Sequence, residues 1–269
     1  MIQNTKKIKK IIVLITVVFW GSTFYGTTVS DTDLFLGSNP DTTDVVKKSD
    51  PVYQFSGKKM IIPAIFITYG LLSLMVEDIK NINNSTQFEV NEHTPKHIVY
   101  DNYTQYAPAA AVYALNLFGV EGKHNLRDRT IIYATSQLIT GAVIMPVKYL
   151  VKEERPDKSN NLSFPSGHTA TAFSSAHFMF REYEDKSLWL ALSGYPLAAF
   201  TGIYRILNDK HWVGDVVAGA GIGILSTELA YWLFPKIDHL LKGKKEKVTT
   251  MVYPYYQSNT VGLGFIRKF

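Results

Sequence analysis

The 269-residue sequence contains no cysteine. That excludes a disulfide framework, a thiol nucleophile and a thiolate metal site, and leaves the compartment open. Hydrophobic excess is also missing. Apolar residues make up 46% of the chain, the ordinary soluble level, and the mean hydropathy of −0.01 is low for a protein made only of membrane spans. Basic residues outnumber acidic ones for a net charge of +5, but Lys6, Lys7, Lys9 and Lys10 supply four of those charges. A second cluster, Lys242, Lys244, Lys245 and Lys247, lies near the C-terminus. Neither is interleaved with aromatics, which argues against a nucleic-acid surface. Strand-period runs are absent from the body of the chain.

What is present begins with MIQNTKKIKK, IIVLITVVFW and GSTFYGTTVS. A basic segment, a ten-residue apolar segment and a small-residue tail read as a secretory signal over residues 1–30, or as a retained signal anchor, since no clean cleavage site follows. Residues 31–59 are polar, with scattered Asp, Ser, Pro and Gly, and read as a linker. From residue 60 to 235 the texture is long, apolar and helical, predicting an all-α bundle of about six helices over 60–76, 107–119, 129–150, 166–182, 188–206 and 212–234. Pro196 and Gly202 predict a kink in the fifth. Ser, Thr and Gln within 130–147 and 188–206 fit buried helices as well as membrane spans. If the signal and every later segment crossed a membrane, the loops after 147 and 206 would face the cytoplasm; a site on the periplasmic side requires at least one segment not to cross. Residues 236–269 hold the basic cluster and a tail in which Val261, Leu263 and Phe265 alternate beyond a Gln-Ser-Asn-Thr turn. This predicts a short β-hairpin, read as a packed flap.

Three helix-end pieces carry chemistry. The first, KYLVKEERP, holds Lys148, Arg155 and Pro156; the second, SFPSGHTATAF, holds Pro165, Ser166, Gly167 and His168; the third, YRILNDKHWVGD, holds Arg205, His211 and Asp215. Each taken singly reads as a solvated helix end, a capped turn or a surface pair. Together they form a phosphate site. Arg155 and Arg205 offer planar forks and Lys148 a point charge. Ser166 and Gly167 open a helix whose amides point out of its positive end, and Gly167 brings no Cβ against the ligand. His211 and Asp215, spaced i, i+4, share one helix face. The carboxylate can hold one imidazole nitrogen protonated and leave the other free to attack phosphorus. His168 can protonate the leaving oxygen. The set reads as in-line phosphoryl transfer through a phosphohistidine, with no metal or other cofactor required. His177, nine residues after His168, faces the opposite side of the same helix. His93, His97, His124 and His239 read as surface. Glu153 and Glu154 read as local charge balance, with one of them able to orient Lys148.

These pieces resemble the type 2 phosphatidic acid phosphatase superfamily, which includes bacterial class A acid phosphatases and vanadium haloperoxidases. Its K-x6-R-P, P-S-G-H and S-R-x5-H-x3-D motifs match at the residues just named, with Tyr204 in place of the third motif's serine. The likeness covers roughly residues 60–234. It implies an all-α bundle with His211 as nucleophile and His168 as acid, and Lys148, Arg155, Ser166, Gly167 and Arg205 on phosphate. The stretches DNYTQYAPAAAVYALNLFGVEGKHN and NDKHWVGDVVAGAGIGIL are similar to an envelope branch from Bacteroidetes-type bacteria. The expected protein is an exported, membrane-associated phosphatase of the bacterial envelope, its site facing the periplasm. Its expected substrate is a phosphorylated lipid (phosphatidylglycerophosphate, polyprenyl diphosphate or lipid A class) or a small phosphate ester. The alternatives are a haloperoxidase holding vanadate in the same cradle and a non-enzymatic phosphate binder.

Overall fold

A computed structural model describes residues 56–93, 99–242, 249–257 and 260–268. The predicted signal, and the linker as far as residue 55, lie outside the described residues, as does His97. A 3-10 turn, Gly57–Met60, leads into α1 (Ile61–Ser73), followed by α2 (Glu77–His93), α3 (Asp101–Thr104), α4 (Ala107–Leu117), α5 (Leu126–Val151), α6 (Gly167–Tyr183), α7 (Leu188–Leu192), α8 (Gly194–Leu207) and α9 (Val213–Lys242). The body is all-α. The chain divides into two compact units, one ending at Trp232 and one from Leu233 onward. The second holds the last turns of α9 and a hairpin of β1 (Thr249–Gln257) and β2 (Thr260–Lys268). Its strands pair antiparallel from Thr249↔Lys268 to Gln257↔Thr260, with the alternating residues on β2.

Local chemistry sets the helix bounds. The Asn125 side chain accepts from the Asp128 amide and starts α5 at Leu126, three residues before the apolar pattern alone suggests. α5 stops where Lys152 turns left-handed, at φ 54°. The predicted segment 188–206 is two helices: the Ser187 side chain caps α7, and Pro196 falls in the first turn of α8, where its missing N–H breaks no helical hydrogen bond. The expected kink is therefore a helix start. α2 and α3 lie outside the predicted segments, since their sequences, EDIKNINNSTQFEVNEH and DNYT, are mostly polar.

α6 is the hub, packed against α4, α5, α7 and α8. The first half of its buried face is made of small residues, Ala170, Ala172, Ser174, Ser175 and Ala176, and the second half adds Phe178, Met179 and Tyr183. α9 lies against it almost backbone to backbone. A Cβ on Gly219 would sit 2.5 Å from the Ser166 carbonyl oxygen, and one on Gly223 would run into the Ala170 carbonyl oxygen and lie 2.8 Å from the Ser174 amide nitrogen. Many large apolar side chains elsewhere are exposed. Leu138 is 74% exposed, Trp189 85% and Phe118 86%. The buried hydroxyls find carbonyls on their own helices, Thr140 Oγ1 donating to Ser136 O and Ser175 Oγ to Thr171 O, both at 2.8 Å. Small and hydroxylated residues at the close helix contacts, with exposed large apolar side chains, fit helices packed in lipid. By length and composition, α5 and α9 can each cross a membrane, and Gly57–Ser73 with Glu77–Val90 pass the same test only as a pair bent by 86°.

Candidate active site

The C-terminal ends of α5 and α8 and the N-terminal ends of α6 and α9 meet. Two loops close the meeting point. Asp157 pairs with Lys210 Nζ at 2.5 Å, the Asp157 amide donates to Asp209 O at 3.1 Å, and Trp212 Nε1 donates to Glu154 O at 2.9 Å. The Gly219–Ser166 contact pulls the start of α9 onto α6, and the Ser166 amide donates to Asp215 O at 3.0 Å. The three sequence pieces thus converge.

At the centre His211 and Asp215 are buried, 2% and 1% exposed. His211 Nδ1 lies 3.4 Å from Asp215 Oδ2, at the long end for a hydrogen bond. The same oxygen accepts from the Trp212 amide at 2.9 Å and from Ser163 Oγ at 2.5 Å. Burial lowers the His211 pKa to about 4; Asp215 opposes the shift, while Lys148 and Arg205 add to it. The ring is neutral at pH 7, the form in which a nitrogen lone pair is available.

Cations line the approach. Lys148 Nζ donates to Leu162 O at 2.6 Å and to Ser163 O at 3.1 Å, so two of its protons hold the loop and one remains. Carbonyls, not the neighbouring glutamates, orient it. Arg205 donates to Asp101 Oδ2 at 2.6 Å. The Nε atoms of both Arg155 and Arg205 are buried without a hydrogen-bond partner. Burial, then the charge of Arg205, pulls the Arg155 pKa down. Two guanidinium groups with open donors this close call for an anion.

Ser166 caps α6: its side chain accepts from the Thr169 amide, and its Oγ lies 2.8 Å from Thr169 Oγ1. Its own amide is engaged by Asp215 O, so the amides that face outward are those of Gly167 and His168. A Cβ on Gly167 would meet nothing nearer than Ile144 Cγ2 at 3.7 Å, which leaves room for a ligand. The His168 ring donates from Nε2 to Asn102 Oδ1 at 2.8 Å. Burial, then Arg205, lowers its pKa to about 4, with Arg155 and Lys148 adding to the effect and Asp101 opposing it. A cavity of about 330 Å³ lined in part by Asp101, Asn102, Arg205 and Lys210 opens alongside. Among the described residues no group of three or more His, Asp or Glu side chains is arranged to hold a metal ion.

Sequence reasoning missed Asp101 and Asn102, which reach Arg205 and His168 from the short helix α3, and Ser163, two residues before the second motif. The only signal for the first two was the quoted stretch DNYTQYA. Tyr204, the departure from the third motif, packs on Phe200 with ring centroids 4.4 Å apart. His177, which the sequence leaves outside the site, is buried, its Nδ1 at 2.6 Å from Tyr195 Oη and its Nε2 at 2.7 Å from Glu228 Oε1. His124 is not a free surface residue: its Nδ1 sits 2.8 Å from Glu182 Oε1.

Residues 129–238 match the profile of the PAP2 superfamily. Over 169 residues, 62% of the chain, the sequence is 38% identical to a lipid A 1-phosphatase of Porphyromonas gingivalis, covering 38% of that protein. Over 105 residues, 39% of the chain, it is 33% identical to a lipid A 4'-phosphatase of Bacteroides thetaiotaomicron, covering 44% of it. The chain thus spans less than half the length of these curated relatives. Among solved structures, LpxE of Aquifex aeolicus aligns with a TM-score of 0.43 at 20% identity, covering 55% of this chain and 93% of that one.

Proposed function

We propose that this chain, which carries a PAP2 superfamily domain over residues 129–238, is a phosphatase of the bacterial envelope that hydrolyses a lipid phosphate, of the lipid A phosphate class, through a phosphohistidine on His211. The observation that carries this reading is the pair of buried guanidinium Nε donors, on Arg155 and Arg205, open beside a neutral imidazole. Residues 1–30 serve as the export signal or anchor, and α5, α9 and the bent α1–α2 pair seat the enzyme in the membrane. The cluster of helix ends then lies at the bilayer surface, where a lipid headgroup presents its phosphate.

Arg155, Arg205 and the third proton of Lys148 bind the phosphoryl oxygens together with the Gly167 and His168 amides. His211 Nε2 attacks phosphorus while Asp215 holds Nδ1–H. The bond from phosphorus to the leaving oxygen breaks as that oxygen takes a proton from His168. Water, deprotonated by the now neutral His168, attacks the phosphohistidine; inorganic phosphate leaves and both rings return to their starting states. The cations and amides supply the neutralising charge without a divalent metal. A panel of lipid and soluble phosphates assayed with the purified full chain in EDTA tests both points. Lipid A phosphates are expected to turn over fastest and EDTA to change the rate less than about twofold. No hydrolysis of any phosphate ester, or loss of activity in EDTA, contradicts the reading.

A pH dependence follows. In the free enzyme His211 is neutral above about pH 4 and His168 is protonated below about pH 4. kcat/KM, which reports the free enzyme, should therefore peak at acid pH and fall as pH rises. Bound phosphate offsets the Arg205, Arg155 and Lys148 charges, raises the His168 pKa and keeps it protonated to higher pH. The alkaline limb of kcat is expected to lie about one pH unit or more above that of kcat/KM, measured by steady-state profiles on one substrate. Coincident limbs contradict the assignment of His168 as the acid.

A further inference from the structure

Asp215 has one oxygen well supplied and one that is not. Oδ2 receives Ser163 Oγ, the Trp212 amide and His211 Nδ1. Oδ1 is buried with no conventional donor, and so is Oε2 of Glu153. The two side chains lie close enough for each to act on the other's titration, Asp215 raising the Glu153 pKa and Glu153 lowering that of Asp215. Two carboxylate oxygens cannot hydrogen-bond each other unless one carries a proton, and two bare carboxylates buried side by side repel. A single proton between them satisfies both oxygens and leaves one negative charge on the pair.

We propose that Glu153 is a positioning residue that stays protonated and donates its hydrogen bond to Asp215, fixing the carboxylate that orients His211. This rests on the reading of His211 as the nucleophile. The chain is Glu153–H to Asp215 to His211 Nδ1–H, with Ser163 as a second donor to Asp215. Positive charge gathers on the imidazole as Nε2 bonds to phosphorus, and the single charge of the carboxyl pair stabilises it; the proton between the carboxyls stays in place. The charged groups facing Glu153 are Asp215 from α9, Lys80 from α2 and Lys148 from α5. Burial and the Asp215 charge outweigh the two lysines and push the Glu153 pKa up to about 10. The carboxyl therefore keeps its proton through the neutral range and releases it only as pH rises toward that value. Glu154, one residue on, offers Trp212 only its backbone carbonyl and takes no such role.

The test compares Glu153→Gln and Glu153→Ala with the wild type, using the purified full chain in detergent. Gln keeps a donor aimed at Asp215 Oδ1 and is expected to hold kcat within about threefold, whereas Ala leaves that oxygen unpaired and is expected to lower kcat by about 10- to 100-fold with KM nearly unchanged. Infrared difference spectra at pH 7 supply the readout that a packing role would not move: the wild type should show a protonated-carboxyl C=O stretch, shifted in D2O and absent from Glu153→Gln. No band lost in the Gln variant, or a Gln variant as slow as the Ala variant, overturns the proposal. The infrared arm needs no turnover and no stable Ala variant, so it decides the shared proton even if the phosphatase reading itself fails.

Discussion

His211→Ala is expected to lower turnover of a lipid phosphate by about 10⁴-fold or more while binding of inorganic phosphate changes by less than about threefold. The split follows from the division of labour at the helix ends. Phosphate is gripped by Arg155, Arg205, Lys148 and the first amides of α6, none of which depends on the imidazole. His211 Nδ1 faces Asp215 and Ser163, so the ring braces little besides the reacting nitrogen. Removing a ring that is 2% exposed also costs some packing. Phosphate affinity, by isothermal titration on the purified variant, therefore separates loss of chemistry from loss of fold. A variant that turns over within tenfold of wild type removes His211 from its role.

Asp215→Asn is expected to lower kcat by about 10³- to 10⁴-fold. The carboxylate accepts three hydrogen bonds on Oδ2, from the Trp212 amide, Ser163 Oγ and His211 Nδ1. An amide oxygen can still take the first two and hold the start of α9. What is lost is the negative charge beside the imidazole, which favours the Nδ1–H tautomer that leaves Nε2 free. The fold should survive, so the melting temperature is expected to stay within a few degrees of wild type while the rate collapses. A rate loss matched by a comparable loss of folded protein points to a structural role for Asp215 alone.

The sequence carried the parts of the site whose chemistry is tied to helix ends. Lys148, Arg155, His168, Arg205, His211 and Asp215 sit at fixed spacings from an end or within one turn of it, and spacing is visible in one dimension. Partners that depend on which ends meet were hidden. Asp101 reaches Arg205 across 104 residues and Asn102 reaches His168 across 66, from a four-residue helix with no periodic pattern. Glu153 reads as charge balance in one dimension because Asp215 lies 62 positions away, as the numbering gives. A helix start exposes amides and so points the Ser166 amide at phosphate, but the α6–α9 approach at Gly219 spends it on Asp215 O. The soluble-or-membrane question stayed open for a related reason. Hydropathy averages over a helix, whereas Ser175, Thr140 and Leu138 differ in which face they occupy, and faces are assigned only by packing.

The most direct measurement is rapid acid-free quenching of the full chain with a 32P-labelled lipid phosphate, followed by mapping of the labelled peptide. One base-stable, acid-labile label on His211, formed faster than inorganic phosphate is released and absent from His211→Ala, is the expected result. Inorganic phosphate released at the normal rate with no label on His211 at any quench time would mean that water attacks phosphorus directly and that the imidazole never carries it.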